Sequence, residues 1–346
     1  MKSKIRMCVS QFQVFDDEIG SYAAQLGYKN IQLNSPALPG DKVWSYDDLK
    51  ALRDSIEDRG LKLVMIENVP LIFYDKVILG LPGRDEQLDN YITTIKNLSS
   101  LGVEIFGHHF SPTFVWRTQD MLGRGGAHVT AFDADDFTTE GNESMKELMR
   151  RKRHLLDYDV FEVAKGITHE DLFKNYEYFM SAVMPVAEQC GLKLCLHPDD
   201  PPVFGGNGIE RMISSLDMYE RAMNIADSEY WGANLCLGCC SERGGAEEVK
   251  KAIRFFAERN KLFAVHFRDV KGVLPHFEEC FLGEGNFNPP EIMKLLVEVG
   301  FDGLIMEDHV SKLDYDSVYG HRARAHELGY MKGLIEMLDY YEGNRQ

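Results

Sequence analysis

The sequence predicts a closed barrel of eight parallel strands, each followed by a helix, the (β/α)8 or TIM barrel, and three observations lead there. Short apolar runs alternate with amphipathic helical patterns along the whole chain. Several helical patterns end in a glycine just before the next apolar run, as in "DRG-LKL", "SLG-VEI", "QCG-LKL" and "EVG-FDG", the position of a left-handed helix cap. No G-x-G-x-x-G follows the first strand, and eight alternating units exceed the roughly five to seven strands common in an open doubly wound sheet.

The strands are expected at Ile5 to Ser10, Asn30 to Asn34, Lys62 to Asn68, Glu104 to Phe110, Lys193 to His197, Ala233 to Gly238, Phe263 to Arg268 and Gly303 to His309. Each is short, apolar and mostly bounded by polar residues or proline, as suits parallel strands covered on both faces. Helices are expected at Asp47 to Arg59, Asp85 to Ser100, Asp171 to Gln189, Ala246 to Asn260 and Pro289 to Val299, with a further helix closing the chain. No Pro/Gly/Ser-rich linker divides these units, so residues 1–346 read as a single domain. The fourth unit is oversized, because about fifty residues, 111–165, separate its strand from the next helix. This insertion contains "WRTQDMLGRGGAHVT", an acidic "DADDF" and a basic, helix-like run from Met145 to Leu156. It reads as a lid over a ligand or as a dimerisation segment.

With 346 residues and 44% hydrophobic side chains the chain can bury a sizeable core. A net charge of -17 without a basic stripe argues against a nucleic-acid partner. The N-terminal stretch lacks the apolar core of a signal peptide and no apolar run approaches a membrane span, so a cytoplasmic protein is expected. Seven cysteines, two of them adjacent at Cys239 and Cys240, are too few and too awkwardly spaced for a disulfide framework and are expected as thiols.

The C-terminal ends of barrel strands converge on one face. Four metal-capable residues stand at such ends in the last four units: His197 in "CLHPDDPP", Cys236 in "ANLCLG", His266 in "FAVHFRDV" and Asp308 in "LIMEDH". Two imidazoles, a thiolate and a carboxylate suit a borderline divalent ion, and are a poor set for Mg²⁺ or Ca²⁺. Coordination positions left open for a substrate favour Mn²⁺ or Fe²⁺, with Co²⁺ as a further alternative, over tetrahedral Zn²⁺. Further rim groups suited to a hydroxylated anion are Asn34, Glu67, Asn68, His108, His109, Asp199 and Arg268. Tyr319, at the polar start of the last helix, is placed to point into the same face.

"HPDDPP", the barrel cysteine, "VHFRDVK" and the Asp308-His309 pair resemble the D-mannonate dehydratase family, and "IKNLSSLGVEIF", "FSPTFVWRT" and "GGAHVTAFD" extend the likeness along most of the chain. The resemblance implies a xylose-isomerase-like barrel, a Mn²⁺-type ion on His197, Cys236, His266 and Asp308, and dehydration of D-mannonate to 2-keto-3-deoxy-D-gluconate. It also implies acid and base roles for His309 and Tyr319 and, together with the insertion, a homodimer; substrate contacts are expected from Asn34, Asn68, His109, Trp116, Arg117, Asp199 and Arg268. The alternatives are a sugar or sugar-acid isomerase or epimerase on the same barrel, and a catalytically silent sugar-binding relative. Departures from the family pattern lie around the expected metal site. Its D-W-T-R-T stands here as Val115-Trp116-Arg117-Thr118, its R-P-D-H-G as Met306 to Val310, and its C-x-G-S as Cys236-Leu237-Gly238-Cys239.

Overall fold

A computed structural model describes residues 3–113, 115–136, 158, 160–203 and 209–343. Twelve strands, numbered in chain order, form two sheets. They are β1 Arg6–Phe12, β2 Asn30–Asn34, β3 Lys62–Glu67, β4 Ile105–His108, β5 Gln119–Leu122, β6 His128–Asp133, β7 Lys193–Leu196, β8 Trp231–Cys236, β9 Leu262–His266, β10 Val270–Val273, β11 His276–Glu279 and β12 Leu304–Met306. Eight of them close a parallel barrel in the order β1-β12-β9-β8-β7-β4-β3-β2. Each expected strand supplies one member, with ends shifted by a few residues. A helix follows every barrel strand, at Asp17–Gln25, Tyr46–Glu57, Arg84–Ser100, His169–Cys190, Leu216–Ala226, Leu237–Ala257, Pro289–Glu298 and His321–Gly343.

The local sequence explains where these elements stop and start. Gly191 ends the His169–Cys190 helix at φ 68°, a left-handed conformation that a residue with a Cβ adopts only at a cost. Gly60, Gly102 and Gly300, the other three glycines expected as caps, also have positive φ. The same helix begins with a capping box, in which the Thr168 side chain accepts from the Asp171 amide and Asp171 accepts from the Thr168 amide. The helix after β8 starts earlier than the sequence suggests, at Leu237, because Gly244 and Gly245 leave helical geometry and join a short first segment to the expected one.

The core lies between barrel and helices. Tyr91, Phe106, Phe110, Tyr176 and Phe179 are buried together there, the Tyr91 ring 5.2 Å from Phe106 and 4.9 Å from Phe179. Such rings combine large apolar burial with favourable edge and offset contacts. The Trp231 indole also donates 2.7 Å to the Tyr176 hydroxyl, so its polar atom is satisfied inside the core.

The second sheet, absent from the sequence reading, is antiparallel in the order β10-β11-β6-β5. It joins the insertion after β4 to a hairpin after β9, with Phe132 of β6 opposite Phe277 of β11. Residues 137–157, including Phe137 at the end of the acidic stretch and the basic run from Met145 to Leu156, lie outside the described residues. All seven cysteines are free thiols, and no helix among the described residues is long and apolar enough to cross a membrane.

Candidate active site

Barrel register assembles the site. Cys236 of β8 is opposite His266 of β9, and His266 is opposite Met306 of β12, so Asp308 follows two residues beyond that row. On the other side, the His197 amide donates 2.9 Å to the His108 carbonyl as β7 leaves the barrel. The ligand atoms of His197, Cys236 and His266 consequently lie within 4.8 Å of one another. Asp308 Oδ2 is 3.8 Å from Cys236 Sγ and 3.5 Å from His266 Nδ1.

Neighbouring groups fix which nitrogen of each imidazole is engaged and which could hold an ion. His197 Nδ1 is 2.7 Å from the Pro198 carbonyl, which can only accept, so Nδ1 carries a proton and Nε2 is left as the donor atom for an ion. At His266 the roles reverse. Glu67 lies 3.1 Å from its Nε2, whereas Nδ1 is buried without a hydrogen-bond partner and faces Asp308. A buried imidazole nitrogen without a partner, beside a carboxylate and a thiol, fits a divalent ion.

The charges agree with that fit. Burial opposes ionisation of Cys236, but the Cys239 thiol, the Arg268 guanidinium and the two imidazoles outweigh it and hold the thiol well below its ordinary value. Burial likewise opposes the Asp308 carboxylate, which His309, His266 and Arg268 nevertheless keep ionised. His266 is driven well above its usual value, burial being overcome by Glu67 and Asp308. In the metal-free protein a proton thus sits where a cation is wanted, and metal binding would release it.

Beyond these residues lies a buried ionic lattice. Arg268, with 1% side-chain exposure, donates through Nε to Asp308 at 2.9 Å, through Nη2 to Asp200 at 2.6 Å and through Nη1 to Glu242 at 2.8 Å. Arg117 donates to both oxygens of Asp200, to Glu242 at 3.2 Å and to Glu279 at 2.6 Å. Burial and the neighbouring Asp200 push the Glu242 carboxyl up to about 8, so at neutral pH it is mostly protonated. Asp200 and Glu279 then balance the two guanidinium groups. Asp200, Cys239 and Glu242 are also close enough to hold an ion, but the two arginines already neutralise this group.

The lattice requires Gly238, which has ordinary backbone angles but no room for a side chain. A Cβ there would lie 2.1 Å from Arg268 Nη1. The glycine in Cys236-Leu237-Gly238-Cys239 therefore opens the channel through which Arg268 crosses from β9 to β12.

His309 stands at the outer edge of the lattice with 32% of its side chain exposed. Its Nδ1 is 2.8 Å from Glu279 Oε1, and its Nε2 is 3.9 Å from Asp308 Oδ2. Burial alone would depress the imidazole, but Asp308 and Glu279 raise it to about 9, so it is a cation at neutral pH. It lies one residue from Asp308 of the metal-capable group, at the edge that opens to solvent.

The other expected site residues divide. Asn34 donates to Gln11 at 2.9 Å and accepts from Asn68 at 3.3 Å, forming a polar patch on β1 to β3 that reaches Glu67 through Gln11 and Gln32. His109 Nε2 is 3.1 Å from Asp199, which also accepts from the Ile213 amide at 2.7 Å. His108 is buried beside Tyr176 and depressed to about 3 by desolvation, a neutral structural group. Arg117 and Arg268, expected to touch a substrate anion, are already paired with carboxylates. Trp116 packs its ring 5.4 Å from Phe132 under the second sheet, and its carbonyl accepts from Arg117 Nη1 at 3.0 Å. The Tyr319 hydroxyl donates 2.7 Å to the Ser10 carbonyl and borders Glu307, in the seam between β1 and β12. Burial and Glu307 hold its phenol well above the ordinary value, so in this geometry it stays protonated and engaged.

Glu242, Glu279, Gln11 and Asn234 escaped sequence reasoning. Asn234 had a signal, since it precedes Cys236 by two residues and shares its face of β8; its Nδ2 is 3.2 Å from His266 Nε2. Glu279 had none, because the hairpin that carries it was not foreseen.

Comparison with known proteins bears on the fold and the family. Residues 21–345 match the family model described as D-mannonate dehydratase (UxuA). The chain is 30% identical over 324 residues to a mannonate dehydratase of Thermotoga maritima, covering 87% of this chain and 88% of the relative. It is 29% identical over 343 residues to one from Lactococcus lactis, covering 93% of this chain and 95% of the relative. The crystal structure of mannonate dehydratase from Streptococcus suis superposes with a TM-score of 0.85 at 27% identity, over 98% of this chain and 96% of that one. A D-psicose 3-epimerase from Clostridium cellulolyticum, at 14% identity and a TM-score of 0.61, shares the fold.

Two outcomes follow from the lattice. Gly238→Ala should lower stability to urea unfolding by about 1–3 kcal/mol, because the added methyl overpacks a site closed by an immobile guanidinium. Glu279→Gln removes one of the two anions that raise His309, so in the metal-free protein the His309 pKa read by NMR should fall by roughly one unit or more while Asp308 still holds it up.

Proposed function

The chain belongs to the D-mannonate dehydratase family, and we propose that it removes water from D-mannonate to give 2-keto-3-deoxy-D-gluconate, using one divalent ion, Mn²⁺ first, with Fe²⁺ and Co²⁺ as alternatives. The observation that carries this reading is the convergence of His197, Cys236, His266 and Asp308, with a cationic His309 at their edge. Their mixed nitrogen, sulfur and oxygen donors favour a borderline ion over a hard one.

The proton between a carboxylate and a hydroxyl is too weakly acidic for a side chain alone to remove. A bound divalent ion supplies Lewis-acid stabilisation of the negative charge that develops when that proton leaves. Loss of the 3-hydroxyl needs a proton, because hydroxide is a poor leaving group. His309 is charged, partly exposed and held by Glu279 through Nδ1, which leaves Nε2 as the atom that donates. Tyr319, with its hydroxyl given to Ser10, acts here in holding β1 to the start of the last helix. Asn34, Asn68, His109 and Asp199 provide hydrogen-bonding groups for a hydroxylated ligand on the β2 to β7 side of the mouth.

Incubation of the Mn²⁺-loaded protein with D-mannonate should yield a 2-keto-3-deoxy acid, read by the semicarbazide or thiobarbiturate assay. His309→Asn should lower kcat by about 10²–10⁴-fold while metal stays bound. No keto-deoxy product from any aldonate with Mn²⁺, Fe²⁺ or Co²⁺ would overturn the proposal. Solvent-deuterium incorporation at C2 without that product would assign an isomerase or epimerase instead.

A further inference from the structure

Immediately outside His309 the structure forms a cavity of about 100 Å³ whose lining includes Asp120, Thr130, Glu279, His309, Val310 and Lys312. Its walls are fixed by backbone. The Lys312 amide donates 2.8 Å to the His128 carbonyl and the His128 amide donates 3.0 Å to the Lys312 carbonyl, tying the segment after β12 to β6. Asp120 of β5 is opposite Thr130 of β6, so both side chains leave the same face of the second sheet.

The cavity differs from the lattice behind it in one respect. There each charged group is paired, whereas among the described residues the side chains of Asp120 and Lys312 make no hydrogen bond or ion pair, although both line the cavity. One is an acceptor and the other a donor, and Thr130 adds a hydroxyl that can do either. Their opposite charges cancel, which suits neutral hydroxyl groups; a second carboxylate at the far end of a ligand would meet both Asp120 and Glu279.

We infer that this cavity is the subsite for the hydroxylated tail of a monocarboxylic sugar acid, the carbons beyond the reacting pair, with Asp120 and Lys312 as its specificity-determining residues. The assignment rests on the sugar-acid dehydratase reading, which puts the reacting carbons beside His309 and leaves the remainder of the chain to run outward. It explains why the second sheet is built from two segments remote in sequence: the insertion brings Asp120 and Thr130, the hairpin brings Glu279, and the two lie side by side around His309.

The test compares binding of two ligands by titration calorimetry to the Mn²⁺-loaded protein, a six-carbon aldonate and lactate, a 2-hydroxy acid with no tail. Asp120→Ala and Lys312→Ala replace exposed side chains and should leave the fold intact, checked by an unchanged thermal midpoint. Each should weaken aldonate binding roughly tenfold or more, the scale of a hydrogen bond with a charged partner, and leave lactate within twofold. A loss of less than threefold on the aldonate, an equal loss on both ligands, or a wild type that binds the aldonate no more tightly than lactate overturns the inference. If the wild type turns over no aldonate at all, the dehydratase proposal itself fails, and the two failures remain distinct.

Discussion

Arg268 is the group on which the rest of the site depends. A guanidinium with 1% exposure is tolerable only when counter-charges and acceptors surround it, and here the Asp308, Asp200 and Glu279 carboxylates and the protonated Glu242 carboxyl do so. Each of those four groups comes from a different part of the chain: the end of the barrel, the loop after β7, the helix after β8 and the hairpin after β9. Arg268 therefore holds four elements to one point and orients the Asp308 carboxylate at the same time. Gly238 makes this possible by leaving space for the guanidinium.

From that anchor the chemistry grades outward. The innermost groups, Cys236, Asp308 and the two imidazoles, are buried and electron-rich, with Glu67 and the Pro198 carbonyl selecting which imidazole nitrogen is offered. The next layer is charge-balanced, since Glu242 retains a proton that would otherwise leave the lattice with an excess of anions. His309 forms the edge, bonded on one side to the lattice through Glu279 and open on the other. The arrangement separates charge by depth: a cluster of metal-capable donors at the barrel's end, a charge-balanced ionic layer behind it and a partly exposed imidazole at the opening.

The barrel was readable because its physics is local. Strands such as "KLVMIE" and "LFAVH" are buried along nearly their whole length and read as continuous apolar runs, and the glycine caps mark their starts. The metal-capable residues were readable because strand ends in a barrel converge whatever the spacing between them. The second sheet was not. All four residues of β5 are exposed, and β10 and β11 are four-residue strands of which only β11 meets the insertion, at β6 more than a hundred positions away, so no periodic pattern announces them. Glu279 is hidden for the same reason, while Glu242 lies on the early segment of the helix after β8 that Gly244 and Gly245 join to the expected one; the internal carboxylates of Arg117 and Arg268 come from these elements. Tyr319 shows the converse: its place at the start of the last helix was legible, but the Ser10 carbonyl that engages its hydroxyl belongs to the first strand.

The central claim is that His197, Cys236, His266 and Asp308 form one ion site. Titration of the metal-free protein with Co²⁺ tests it most directly, because a thiolate bound to Co²⁺ gives a sulfur-to-metal charge-transfer absorption that imidazole and carboxylate ligands do not. The absorption should rise to an end point at one equivalent of Co²⁺ and be absent from Cys236→Ser. Stoichiometric Co²⁺ binding without that band, or a band that persists unchanged in Cys236→Ser, would contradict the account.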